Sequence, residues 1–300
     1  VLPMDFEEFL WAKGNDILMP MLREHFESMK PMGMQHSSAM KTYREYMIVG
    51  GMPQSVTAFT ESKDFGKVDF VKQGILQLYR NDMDEQEEEN TEYVINFFDR
   101  IPSELSKHDH RYVLTHIDAS ARVRDYRGAI KWLQEAMIIN IANNVDDPSA
   151  AFNLGIIDPS FKCYMMDTGL LTSLAYKDRP YLENELYKAI LLDKLHVNEG
   201  MIVENMVSQN LRSNGHSSFF YKETNPETKK TEIEIDFLIR KNNKVIPIEV
   251  KSGERESIKS LLKLKAKFGK RIGDGIVLHH GEIKREGDVI YLPYYMAALL

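Results

Sequence analysis

The residues best suited to chemistry lie between Thr231 and Lys251. The segment Thr231-Glu232-Ile233-Glu234-Ile235-Asp236-Phe237-Leu238-Ile239 alternates polar and apolar side chains, the pattern of a strand with one face on a core. This places Ile233, Ile235, Phe237 and Ile239 on the buried side and Glu234 and Asp236 on the other. Lys241-Asn242-Asn243-Lys244 then makes a hairpin turn into a second strand, Val245 to Lys251. On it Ile246, Ile248 and Val250 point one way, and Glu249 and Lys251 the other. With the hairpin in register, Asp236, Glu249 and Lys251 share one surface at the strand ends. Two carboxylates that close repel unless a cation lies between them, and hard oxygen ligands suit Mg²⁺ or Mn²⁺. Such an ion polarises a phosphoryl oxygen and lowers the pKa of a bound water. Lys251 would orient that water or stabilise charge developing in the transition state. The expected reaction is phosphodiester hydrolysis.

Further charged residues are placed to support it. Gly200 to Leu211 reads as an amphipathic helix whose apolar stripe holds residues 202, 203, 206, 207 and 211. Glu204 interrupts that stripe, as a further metal ligand, an orienting group or a plain helix-start glutamate. Beyond Gly253, Ile258, Leu261, Leu262 and Phe268 face inward on another helix, while Arg255, Lys259, Lys263 and Lys267 form a basic stripe that can steer a phosphate backbone. A second basic group, Arg122, Arg124, Arg127 and Lys131, offers phosphate contacts in the middle of the chain. His279 and His280 follow a strand and read as incidental to the site, and the acidic run from Asp82 to Glu89 reads as solvated.

The elements that must position these residues fall in three parts. The 300-residue chain is too long for one compact core, and its 43% hydrophobic and 28% charged content is that of a water-soluble globular protein. A net charge of −7 excludes whole-surface attraction to nucleic acid, so DNA contact must be regional. The single cysteine, Cys163, excludes an internal disulfide and a cysteine zinc site and points to a reducing, cytoplasmic setting. No apolar run spans a bilayer, so no membrane partner is expected. Residues 1–100 read as helical, and the chain opens as though it were the middle of a longer protein. Residues 101–180 read as winged-helix-like. Pro102-Ser103 opens a helical stretch, Ser120 and Asp125 are candidate N-caps, and Tyr126 to Met137 is an amphipathic helix. A strand over 137–141, a loop from Asn143 to Leu154 and a returning strand over Phe161 to Met166 complete the wing. A polar stretch from Lys177 to Asn184 marks a junction, and residues 181–300 form an α/β domain with a mixed sheet. The fold class is therefore α+β.

Several segments together resemble the C-terminal part of a bacterial and archaeal family of AAA-type ATPases carrying a PD-(D/E)XK-like, restriction-endonuclease-like domain of unknown function. They are Pro3 to Leu10, Gly50-Gly51-Met52-Pro53, Lys162 to Leu171, Gly200 to Asn205, Glu234 to Ile239 and Pro247 to Gly253. The resemblance implies that Glu204 is the helix acid of the nuclease-like motif, Asp236 the strand acid, and Glu249 with Lys251 the Glu-x-Lys pair. It implies an upstream P-loop, yet no Gly-x-x-x-x-Gly-Lys-Ser/Thr occurs in this chain. ATP would thus act only through the chain's own or an associated ATPase domain, with oligomerisation through that domain a further possibility. The alternative is a catalytically silent module that binds DNA or protein and regulates the ATPase, or simply an ion-pair cluster without metal affinity.

Overall fold

The structure is a computed structural model describing residues 2–300 other than 87, 108, 109, 118, 120, 149–151, 153, 154, 177–198 and 254–256. Ser120, Arg255 and the polar stretch beginning at Lys177 thus lie outside the described residues. The fold is α+β. The helices are α1 (Phe6–Ala12), α2 (Leu18–Ser28), α3 (His36–Val49), α4 (Pro53–Ser62), α5 (Phe65–Asp84), α6 (Glu88–Leu105), α7 (Val123–Glu135), α8 (Thr168–Ala175), α9 (Glu199–Ser213) and α10 (Lys259–Phe268). The strands are β1 (Ile139–Val145), β2 (Ile156–Met165), β3 (Phe219–Thr224), β4 (Thr231–Lys241), β5 (Lys244–Val250), β6 (Gly275–His279), β7 (Lys284–Glu286) and β8 (Val289–Pro293). They form one eight-stranded mixed sheet in the order β2-β1-β3-β4-β5-β6-β8-β7.

The chain divides into two compact units whose segments alternate in sequence. The first contains residues 1–16, 41–141 and 162–209, and the second residues 17–40, 142–161 and 210–300.

The first unit is mainly helical. Asp5 and Glu8 close a reciprocal capping box at the start of α1, which fixes where that helix begins. Phe6 and Phe9 pack on Tyr46, with Phe6 also edge-on to Tyr43. Gly50, at φ +78°, ends α3 in a conformation that disfavours any side chain, and Pro53 opens α4 at a position where its missing N–H costs nothing. Two expectations for the middle of the chain change. Helix α6 runs through Pro102 rather than starting there, since Pro102 falls in the last turn. Asp125 lies inside the first turn of α7, where its charge favours the dipole, and Arg122 occupies the cap without a side-chain hydrogen bond.

In the second unit, α10 covers one face of the sheet. Leu261 and Leu264 pack with Ile233, Ile235, Leu238 and Val277 in one buried cluster. Leu264, not Leu262, completes the inward face, and Leu262 is 53% exposed. Strict alternation along β4 also fails after Ile235. Tyr221 pairs with Ile235 but Phe219 with Leu238, so Asp236 and Phe237 together oppose Phe220 in a β-bulge. Leu238 therefore takes the core face on which Phe237 was expected. The expected loop from Asn143 is shorter as well, because Asn143 and Asn144 belong to β1 and pair in parallel with Phe219 and Phe220. Strands β1 and β2, expected as a separate wing, are the first two members of the sheet.

Candidate functional site

The bulge in β4 is what presents Asp236. Bulges bend a strand and re-aim the side chain they carry. On its other edge β4 pairs with β5, Phe237 opposite Ile248. One residue further in the same register Asp236 faces Glu249, and opposed residues on antiparallel strands project from the same side. Glu249 pairs onward with Val277 of β6, which places it in a central strand, and it is only 3% exposed. The half-buried Asp236 accepts a hydrogen bond at Oδ2 from the Val250 N–H, at 2.9 Å. The Lys251 ammonium pairs with Glu249 Oε2. The Lys251 N–H donates to the Leu278 carbonyl at 2.9 Å, and the Tyr294 hydroxyl donates to the Lys251 carbonyl. Lys251 is thus clamped on both sides of its α-carbon. The structure thus sets Asp236 in register with Glu249 and pairs Lys251 with Glu249. Tyr294 carries no motif that would have singled it out.

Among the described residues no group of three or more His, Cys, Asp or Glu side chains is arranged to hold a metal ion. The donor set here is two facing carboxylates. That fits Mg²⁺ or Mn²⁺, which bind through one or two carboxylates and keep several waters.

The stripe on α10 is partly committed to local contacts. Lys267 pairs with Glu223 at 2.7 Å and donates to the Tyr221 hydroxyl at 3.0 Å. These contacts hold the Glu223 carboxyl below its usual range and outweigh burial in raising Lys267. Lys263 donates to the Glu232 carbonyl at 3.1 Å. Lys259 is exposed and bonds to no described residue. His279 is buried, with Nε2 at 3.1 Å from the Glu282 carbonyl, a structural contact.

Glu204 belongs to the first unit and has its own partners there. Its Oε1 accepts from Lys162 at 2.8 Å and from the Tyr164 hydroxyl, and its Oε2 pairs with His110. Burial pushes the carboxyl up, but the Lys162 ammonium and His110 more than offset that and hold it well below the usual range. Around it runs a buried polar network. Asn205 bonds both the N–H and the carbonyl of Met165, and Gln209 Oε1 accepts from the Thr168 N–H. Gln209 then donates to the Tyr46 hydroxyl at 3.0 Å, which donates to the Met4 carbonyl at 2.8 Å. Asp167 caps α8 through the Leu170 N–H and accepts from the Gly51 N–H at 2.6 Å. Four of the sequence segments quoted above, at Met4, Gly50-Gly51, Lys162 to Leu170 and Glu204-Asn205, therefore meet in one nucleus. Sequence reading missed this network. Its one signal is the pair Lys162 and Asp167 bracketing the apolar run Cys163 to Met166.

Arg122 at the cap of α7 and Arg124, Arg127 and Lys131 along it are all exposed, while its other face buries Tyr126, Ala129 and Leu133. Two of them make weak local pairs, Arg124 with Asp125 at 3.2 Å and Lys131 with Glu135 at 3.7 Å.

Comparison with known families gives two matches. Residues 40–180 match a domain of unknown function (DUF8612). Residues 199–295 match a second domain of unknown function (DUF4143), one found in AAA-ATPase-associated proteins. The second match contains Glu204 and the whole Asp236, Glu249 and Lys251 group. No curated protein and no solved structure matches the chain. Among the described residues no helix is long and apolar enough to cross a membrane.

Proposed function

We propose that this chain carries a metal-dependent nuclease-like domain that hydrolyses DNA phosphodiesters in partnership with an AAA-type ATPase. The observation that carries this reading is the position of Asp236, at a bulge and in register with the buried Glu249, with Lys251 paired to Glu249. Asp236 and Glu249 would hold Mg²⁺ or Mn²⁺. When bound, that ion supplies Lewis acidity and a water of lowered pKa. Lys251 contributes a positive charge that its two backbone hydrogen bonds keep in place, a preorganised complement to developing negative charge. Glu204 is already satisfied by Lys162, Tyr164 and His110, so the proposal rests on the other three residues. Lys259 and Lys263 on α10, and the four cations at Arg122, Arg124, Arg127 and Lys131, are the surfaces that would contact the DNA backbone. The match at residues 199–295 to a domain found in AAA-ATPase-associated proteins supports an ATPase partner, through which alone ATP would enter.

The test is cleavage of plasmid and of single-stranded DNA in Mg²⁺ and Mn²⁺ by the chain and by Glu249→Gln and Lys251→Ala. Metal-dependent cleavage lost in both variants supports the reading, and cleavage unchanged in either contradicts it. One observation favours a second reading, a catalytically silent DNA-binding or regulatory module. The Lys251 ammonium already neutralises the buried Glu249, the condition in which the carboxylate is stable without a metal.

A further inference from the structure

We propose that the second unit contains a separate pocket for a phosphate ester, built on Arg240. The pocket holds about 320 Å³ and is lined by Phe152, His216, Ser217, Phe219, Ile239 and Arg240. Its floor is aromatic, with the Phe152 and Phe219 rings 4.7 Å apart and both buried. The guanidinium of Arg240 lies 4.5 Å from the centre of the Phe152 ring. This cation–π contact holds the guanidinium over the ring without consuming its hydrogen-bonding capacity on a protein acceptor. The Arg240 side chain is exposed and makes no ion pair or hydrogen bond with a described residue, so the guanidinium fork is open to a ligand. Ser217 adds an exposed hydroxyl that bonds to no described residue, whereas His216 is turned to the Leu300 carbonyl at 3.3 Å. Among the described residues no carboxylate lines the pocket, and the exposed Lys241 and Lys244 at the adjoining hairpin make the local field positive.

A planar fork beside a hydroxyl, over an apolar floor, fits an anion carried on an aromatic body. Guanidinium matches phosphate oxygens two at a time, which a point charge does not. The ligand class is therefore a phosphate ester, either a free nucleotide or a phosphate of single-stranded nucleic acid. The pocket is distinct from the carboxylate pair. Arg240 is four residues beyond Asp236 on β4, about 13 Å of strand at the usual rise.

The experiment is calorimetric titration of the chain in metal-free buffer containing EDTA, so that failure of the metal site cannot obscure the result. The probes are inorganic phosphate, adenosine monophosphate, a 5′-phosphorylated oligothymidylate and acetate. The proteins are the native chain, Arg240→Gln, Arg240→Lys and Asp236→Asn, each checked by circular dichroism. Saturable binding of a phosphate ester that falls about tenfold or more in Arg240→Gln, less in Arg240→Lys and not in Asp236→Asn supports the pocket. Tighter binding of the oligonucleotide identifies a nucleic-acid phosphate, and equal or tighter binding of the monophosphate a free nucleotide. No saturable binding by the native chain, equal binding by Arg240→Gln, or acetate binding as well as phosphate would overturn it.

Discussion

Asp236 and Glu204 are both acids beside apolar sequence, yet their surroundings assign them opposite tasks. Asp236 is half-buried, and its Oδ2 accepts from the backbone N–H of Val250 on the neighbouring strand. Glu204 is 4% exposed, with Lys162, Tyr164 and His110 on its two oxygens, which makes it an anchor of the first unit. Glu204→Gln removes the charge that the buried Lys162 ammonium faces at 2.8 Å. It should cost about 3–5 kcal/mol, the usual penalty for breaking a buried pair, measured by urea unfolding. Lys162→Met in that background should recover part of the loss. The pH dependence follows from the depressed pKa. The carboxylate's stabilisation is complete above its unfolded value of about 4.5 and is lost as pH falls toward the lower folded value. The native chain should therefore lose stability below that pH more steeply than Glu204→Gln. Equal slopes would show that Glu204 is not the acid-sensitive group.

At the scale of elements, backbone approaches decide what sequence patterns leave open. A Cβ on Gly169 would lie 2.6 Å from the Gly50 nitrogen and the Val49 carbonyl oxygen, both backbone atoms that cannot swing aside. Gly169→Ala should destabilise by about 3 kcal/mol or more, the upper range for overpacking. Gly74, exposed within α5 with nothing within 4 Å of its Cβ position, should behave oppositely, Gly74→Ala adding about 0.5–1 kcal/mol. Urea midpoints moving in opposite directions would bear out the close approach at Gly169 and the open space at Gly74. The hairpin, its two acids and its lysine were legible because a period of two and an Asn-Asn turn are local signals; Asn242 and Asn243 indeed take positive φ. The bulge was not legible, because the residues of β4 alternate by type straight through it and only the pairing with β3 reveals the extra residue. The buried network was equally hidden, since Lys162, Asp167 and Gln209 find their partners tens of residues away. The phase of α10 was misjudged at Leu262 because two adjacent leucines fit either side of an amphipathic stripe.

For the whole molecule, the three consecutive domains expected from the order of elements along the chain differ from the two units of the structure, whose segments alternate in sequence. The second unit includes residues 17–40 and 142–161. Within it, Met32 N–H donates to Glu282 at 2.9 Å and His36 meets the Tyr295 hydroxyl at 2.9 Å. A fragment of residues 181–300 lacks those segments and leaves the β3 edge without β1, an open template for aggregation. It should unfold without a sharp transition or aggregate. A soluble, cooperatively unfolding fragment would instead favour the linear division. The family matches at 40–180 and 199–295 follow the chain linearly.

The most direct measurement is calorimetric titration of Mn²⁺ into the chain and into Asp236→Asn. That variant keeps an oxygen to accept the Val250 N–H but loses the charge. The metal-site account predicts saturable one-site binding to the native chain and binding weakened about a hundredfold or more in the variant, as expected when one of two carboxylate ligands is removed. Absence of binding to the native chain, or equal affinity in both proteins, would contradict it.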